Sequence, residues 1–132
     1  MRAWFLDQLL PGNPTYNQAH AYRLSGKLDV AALQAGIRTV ISRHAILRTT
    51  YRLVDDEPRQ FVDEDAAPHF QRLDLSATPT EQRESKLLDT LAAETRRPFA
   101  LESDPPVRFT LVYCSDRQHV LLGVWHHIAH DG

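Results

Sequence analysis

The last seven residues hold a dense group of side chains that can do chemistry: His126, His127 and His130, with Asp131 and Gly132 beside them. An imidazole that is neutral near pH 7 can accept a proton from an amine or a hydroxyl group, so one of these histidines is a candidate general base. The apolar segment just before the cluster disfavours the charged form of such a base. Asp131 would then serve as an electrostatic anchor and would not itself carry the proton.

The same cluster is also compatible with a metal ion, because three imidazoles and a carboxylate form a reasonable zinc ligand set. Adjacent side chains on a strand point to opposite faces, however, so His126 and His127 can share one site only if the backbone turns sharply between them. A third interpretation is that these are ordinary surface or core histidines. Their spacing alone leaves the three interpretations open.

A buried strand must carry this cluster. Residues 120–125 read Val-Leu-Leu-Gly-Val-Trp and are apolar on both faces, which is typical of a central strand covered from two sides. Another strand is predicted at 107–113, after the Asp-Pro-Pro segment that begins at Asp104, and residues 115–118 turn the chain between the two. Trp125 is expected to belong to the core.

A first amphipathic helix is predicted to follow Asp29, which is a good N-cap residue. Leu33, Ile37, Val40 and Ile41 recur at the helical period and line one face. This face is expected to pack against a sheet.

A second helix is predicted from the segment Thr78-Pro79-Thr80-Glu81, which combines a capping box with a proline at the first helical position. Leu88, Leu91 and Ala92 are expected to form its inner face. Pro98 ends it.

Shorter elements complete the order. Strands are predicted, from alternating or β-branched residues bounded by turn formers, at 16–24, 47–54, 60–62 and 70–75. Residues 1–9 hold a short apolar cluster that ends at the breaker segment 11–14. With a short helix in residues 1–9 counted first, the expected order is helix, strand, helix, strands, helix, strands.

Composition argues against several functions. The 132 residues carry 15 Lys and Arg against 17 Asp and Glu, scattered along the chain, so no basic stripe supports nucleic-acid binding. No apolar run approaches the roughly 18–20 residues of a membrane span. Residues 1–7 contain an acid and aromatic residues where a signal peptide has its apolar core, which argues against secretion and, together with the single cysteine, favours a cytoplasmic protein. Cys114 is the single cysteine, and it is expected to be a small buried residue and not a nucleophile.

Several motifs resemble one family. His126-His127-x-x-x-Asp131-Gly132 resembles the HHxxxDG signature of the condensation domains of nonribosomal peptide synthetases, which share the chloramphenicol acetyltransferase fold. Residues 43–51, RHAILRTTY, resemble the family's RHExLRTxF segment, with Ala45 where glutamate is usual. The resemblance runs in order along essentially the whole chain, and its other stretches are 2–6, 16–17, 24–29, 97–99 and 106–108.

The resemblance implies an α+β fold, a two-layer α/β sandwich in which a mixed sheet is packed with helices, as the N-terminal half of a chloramphenicol acetyltransferase-like fold. Residues 1–132 would be the N-terminal lobe of a condensation domain, truncated and without its C-terminal lobe. We expect such a lobe to be inactive on its own, because the family's active site lies between two lobes.

The resemblance also implies roles for the terminal residues. The family joins two carrier-bound thioesters through an amide bond, and its pattern makes His127 the catalytic residue, as a base or as the acceptor that orients the amine. His126 would be structural. Asp131 would pair with an arginine, for which Arg48 and Arg43 are the candidates.

The family needs no cofactor of its own, and its substrates arrive on the phosphopantetheine arms of peptidyl carrier proteins. Adenylation domains of the same assembly line are the other implied partners, and neither nucleic acid nor a membrane is among them. The alternatives are an epimerisation domain or a free-standing acyltransferase of the same fold, or a non-catalytic lobe that docks a carrier protein. Of the other histidines, His44 is expected to pack at a helix end, whereas His20, His69 and His119 are expected to be solvated.

Overall fold

From the first strand onward, the elements follow the predicted order in a computed structural model that describes residues 17–65 and 68–129. They are β1 (Asn17–Ser25), α1 (Val30–Arg43), β2 (Thr49–Val54), β3 (Glu57–Val62), β4 (His69–Asp74), α2 (Thr80–Arg96), β5 (Val107–Ser115) and β6 (Gln118–His126). Short 3₁₀ turns occupy Ala45–Arg48 and His127–Ala129. The apolar cluster at 1–9 and the breaker at 11–14 lie outside the described residues.

Four strands form a mixed sheet in the order β1-β6-β5-β4. The pairs β1/β6 and β6/β5 are antiparallel, whereas β4 runs parallel to β5 because α2 crosses over between them. The strands β2 and β3 form a separate hairpin. Its turn residues Asp55 and Asp56 both have positive φ, as the tight hairpin turn requires.

Each face of the four-stranded sheet carries one helix. Ile37 and Ile41 of α1 pack with Val107 on one face, and Leu87 of α2 packs with Val112 and Val120 on the other. The α+β class, with a mixed sheet packed against helices, is therefore confirmed. The layering is helix, sheet, helix, which is one layer more than the expected two, because β5 and β6 are apolar on both sides and each side needs cover.

The start of α1 was predicted correctly, and that of α2 was not. The Asp29 carboxylate accepts a hydrogen bond from the backbone N–H of Ala32 at 3.0 Å, as an N-cap should. The N-cap of α2 is Pro79, and no side chain caps that end. The predicted capping box at Thr78 is therefore wrong.

Two predicted inward positions face solvent. Val40 is 50% exposed and Leu88 is 56% exposed, whereas Leu87, which was not predicted, is 2% exposed. One residue is 100° around a helix, so a choice between adjacent leucines depends on how the helix is rolled against the sheet. None of the helices in the two described ranges is long and apolar enough to cross a membrane.

Candidate active site

The strand β6 ends at His126 and the following 3₁₀ turn begins at His127, so the two adjacent histidines lie in different elements. His126 is the last residue of β6 and is 0% exposed. His127 begins the following 3₁₀ turn and is partly exposed. The two imidazoles therefore have different surroundings although they are neighbours in sequence.

His126 is held from several sides. Its Nδ1 accepts a hydrogen bond from the backbone N–H of Ile128 at 3.1 Å, and its own backbone N–H donates to the carbonyl of Pro106 at 2.8 Å. The ring of Phe99 meets the imidazole edge to face, with 6.1 Å between centroids. Burial, and secondarily the nearby His127, lower the pKa of His126 from 6.5 to about 4. The ring is therefore neutral at pH 7 and carries its proton on Nε2.

A buried arginine, Arg108, contacts the same Phe99 ring that packs on His126. Arg108 of β5 is 4% exposed, and its guanidinium donates to the carbonyls of Glu94, at 2.6 Å, and Arg97 at the end of α2. It also lies 4.2 Å from the centroid of the Phe99 ring. Burial is the main cause that lowers the pKa of Arg108 to about 10, which leaves it charged at pH 7. A cation suits a helix C-terminus, where carbonyls lack helical partners and the helix dipole is negative.

Asn17 of β1 holds the same helix end. Its side-chain amide donates to the carbonyls of Thr95, at 3.0 Å, and Arg97, at 2.9 Å. Asn17 is also the register partner of His126 across β1 and β6. The end of α2 is thus tied to the strand that lies beside His126.

The role of these residues was missed in the sequence, although Asn17, Phe99 and Arg108 stand in stretches that carried the family resemblance. The available signal was Arg108, a charged side chain within the otherwise apolar strand 107–113. A buried cation in such a strand requires carbonyl or carboxylate partners.

His127 lies next to a glutamine that no sequence pattern had singled out. Its Nδ1 is 3.4 Å from Nε2 of Gln18, which stands on β1. The Oε1 atom of the same Gln18 accepts a hydrogen bond from the indole N–H of Trp125 at 3.1 Å. Trp125 packs against the α1 side of the core, as predicted, but its polar edge faces the site.

The two candidate arginines differ in position. Arg48 is 8% exposed and donates to three backbone carbonyls, those of Ile41 at 3.1 Å, Asp63 at 3.1 Å and Ser42 at 3.3 Å. Arg48 thereby joins the end of α1 to the end of β3. Arg43 is exposed on the last turn of α1.

Asp131 and Gly132 lie outside the described residues, as does His130. A contact of Asp131 with Arg48 or with Arg43 therefore stays a prediction. Within residues 17–65 and 68–129, no three His, Cys, Asp or Glu side chains gather as a metal site.

The remaining candidates have structural surroundings. Cys114 is 8% exposed within the apolar cluster around Leu87, and burial raises the pKa of its thiol. His119 is 4% exposed and packs edge to face on Tyr113, so the prediction that it is solvated is wrong. His20 and His69 are exposed, as predicted.

Comparison with known sequences points to one family. The family described as Condensation domain matches residues 1–132 of this chain. The chain is 37% identical over 131 residues to one of the linear gramicidin synthase proteins of Brevibacillus parabrevis, and the match covers 99% of this chain and 2% of that protein. It is 41% identical over 133 residues to the isonitrile lipopeptide synthase of Mycobacterium tuberculosis, where the match covers 99% of this chain and 5% of that protein. The chain thus spans a small part of the length of these relatives.

Comparison with solved structures agrees. The fold matches the starter condensation domain of rhizomide synthetase with a TM-score of 0.84 and 28% identity, over 96% of this chain and 30% of that one. A four-domain nonribosomal peptide synthetase bound to AMP and glycine matches with a TM-score of 0.84 and 20% identity, over 97% of this chain and 10% of that one. The first match confirms the fold that the motifs implied, and the second supports the fold alone.

Proposed function

Because this chain belongs to the condensation-domain family, we propose that it is the N-terminal lobe of a domain that forms amide bonds in nonribosomal peptide synthesis. The amine of an aminoacyl thioester attacks the carbonyl of an acyl or peptidyl thioester. A C–N bond forms, the C–S bond breaks, and the proton lost by the amine ends on the departing thiol. Since a thioester is already activated, the catalyst has mainly to hold the two groups together and manage one proton.

The observation that carries this proposal is the unequal placement of the two signature histidines. His126 is fully buried, and its Nδ1 is bonded to the backbone of Ile128. His127 is partly exposed just beyond the strand. His127 is therefore the imidazole that can meet a substrate, as a base or as the group that orients the amine. His126 is the residue that holds the turn in shape.

Arg48 is the better candidate for the partner of Asp131. A guanidinium has five N–H donors, and Arg48 directs three bonds to backbone carbonyls. Its Nη1 also lies 3.6 Å from the exposed carboxylate of Glu64, so Asp131 would join Glu64 as a second carboxylate at this guanidinium. Arg43 is exposed, where an ion pair contributes little. In this proposal Asp131 supports the shape of the loop after β6 and does not move the proton.

The substrates are carried on phosphopantetheine arms of peptidyl carrier proteins, and adenylation domains load them. The lobe itself needs no cofactor, and it works in the cytoplasm. A second lobe completes the active site, which accords with the 30% of the rhizomide starter domain that this chain covers.

The test is amide formation between two loaded carrier proteins by this chain combined with a C-terminal lobe of the same family. We expect His127→Ala to lower the rate by about 10²-fold or more. The matched control is His69→Ala, an exposed histidine on β4, which should keep the parental rate. Equal rates for His127→Ala and the parent would overturn the catalytic role. Amide formation by the 132-residue chain alone, abolished by His127→Ala, would show that a second lobe is not needed.

A further inference from the structure

Three side chains at the end of β6 form a hydrogen-bonded row. The indole N–H of Trp125 donates to Oε1 of Gln18 at 3.1 Å, and Nε2 of Gln18 lies 3.4 Å from Nδ1 of His127. We propose that Gln18 is the positioning residue of His127 and holds its neutral ring in the tautomer that carries the proton on Nε2. The inference rests on the proposed function only for its catalytic significance.

The indole determines which way the amide of Gln18 points. A tryptophan ring can only donate a hydrogen bond, so the atom of Gln18 that faces Trp125 must be the carbonyl oxygen. The amide nitrogen then faces His127, and an amide nitrogen can only donate. Nδ1 of His127 must therefore be the acceptor. In a neutral imidazole the proton then resides on the other nitrogen, Nε2.

The row is effective only if the indole is itself held in place. Gln18 and Trp125 are register partners on β1 and β6, so their side chains project from the sheet side by side. The ring of His20, two residues further along β1, stacks on the indole with 4.8 Å between centroids and 15° between planes. The indole also packs on the core beneath α1. The amide of Gln18 is thus aimed by a ring that the sheet and the core hold fixed.

The tautomer decides what His127 offers a substrate. With the lone pair of Nδ1 directed at Gln18, the Nε2 edge presents an N–H donor. To accept a proton at Nε2, the ring must first release Gln18 and move its own proton to Nδ1. Gln18 therefore selects between a donor role and an acceptor role for His127.

The test is the nitrogen-15 chemical shifts of the His127 ring in the full chain, assigned by their loss in His127→Ala. These shifts distinguish a ring nitrogen that carries a proton from one that does not. At a pH where the ring is neutral, we expect Nδ1 to be unprotonated and Nε2 to be protonated.

The substitution Gln18→Glu replaces the hydrogen-bond donor that faces His127 with an acceptor, and so tests the inference directly. A glutamate has nearly the same shape and still accepts from the Trp125 indole, but its second oxygen accepts from His127 where the amide donated. The proton should move to Nδ1, so the two nitrogen signals should exchange their types. Gln118→Glu makes the same chemical change at the exposed start of β6 and should leave the His127 signals in place.

The inference is wrong if Nδ1 carries the proton in the parent chain, or if Gln18→Glu keeps the parental backbone spectrum without altering the His127 signals. The parent measurement alone is decisive should a variant fail to fold. No substrate enters this experiment. A tautomer that follows Gln18, together with amide formation that survives His127→Ala, would contradict the proposed function and leave this inference standing.

Discussion

The indole of Trp125 packs against the backbone of Gly123, with its Cζ3 atom 3.7 Å from the position that a Cβ on Gly123 would occupy. On the same face, Cε1 of Phe109 is 3.3 Å from that position. The Phe109 ring therefore approaches the strand as closely as it does because residue 123 has no side chain, whereas the Trp125 distance is an ordinary van der Waals contact.

Gly123→Ala is expected to destabilise the fold. The added methyl group requires the Phe109 ring to shift by a few tenths of an ångström, and overpacking of a well-packed core costs about 1–3 kcal/mol. The lower entropy of the unfolded alanine chain offsets part of this, by about 0.4–1 kcal/mol. Urea unfolding followed by tryptophan fluorescence measures the net loss of stability.

Gly36→Ala is the matched control for this change. Gly36 lies in α1, and an added Cβ there meets nothing within 4 Å. Alanine should stabilise the helix by about 0.5–1 kcal/mol. If the two substitutions have the same effect on the free energy of unfolding, the close approach at Gly123 has no energetic significance.

Acid should destabilise the chain through His126. The folded state lowers the pKa of His126 from 6.5 to about 4, so between these values the unfolded chain binds a proton that the folded chain does not. The contribution of His126 to the free energy of unfolding should therefore be complete above pH 6.5. It should decrease as the pH falls towards 4, by up to about 1.4 kcal/mol per pH unit. His126→Gln should have a shallower slope in urea unfolding across this window, whereas His69→Gln should keep the parental slope. Equal slopes for the parent and His126→Gln would contradict the assignment.

Arg108→Ala is expected to lower the free energy of unfolding by about 2–4 kcal/mol, because it leaves the part-buried carbonyl of Glu94 without this donor and removes the cation over Phe99. The control is Arg96→Ala, an exposed arginine on the last turn of α2, which should change stability by no more than about 0.5 kcal/mol. Chemical denaturation of both variants provides the comparison. Similar losses at the two positions would show that the contacts of Arg108 are not special.

Arg48 and Arg43 should also differ in how much each contributes to the free energy of unfolding. Arg48→Gln removes the bonds that join the end of α1 to the end of β3, with an expected loss of about 2–4 kcal/mol, whereas Arg43→Gln should cost no more than about 0.5 kcal/mol. A double-mutant cycle with Asp131→Asn then tests the proposed ion pair. Arg48 and Asp131 should show a coupling of about 0.5–3 kcal/mol, and Arg43 and Asp131 should be additive. Coupling to Arg43 alone would reverse the assignment.

Local patterns predicted the elements well. Asp29 begins α1 as expected, and the apolar segments around 107–113 and 120–125 became the two central strands. Such signals depend on neighbours in the chain, so they can be read without a fold. The errors at Val40 and Leu88 concern the roll of a helix about its axis, which is set by the sheet it packs on.

The residues of the candidate site also fall into those that a local sequence pattern reveals and those that only the fold brings together. The two histidines and the motif they belong to are contiguous in sequence, and comparison of that motif with a family was enough to select His127. Gln18, Asn17 and Arg108 are far from it in the chain, and they reach it only because β1 and β5 both pair with β6. A local sequence pattern does not predict which strands pair.

By itself, then, the sequence determined the order of the described elements, the family and the candidate residues for the chemistry, because composition, periodicity and contiguous motifs are properties of the chain. Only the tertiary structure decided which of the two histidines is buried, which arginine holds the end of α1, and which amide faces His127. Burial and hydrogen bonding depend on atoms that come together when the strands pair and the helices cover them, so these distinctions arise only in the folded chain.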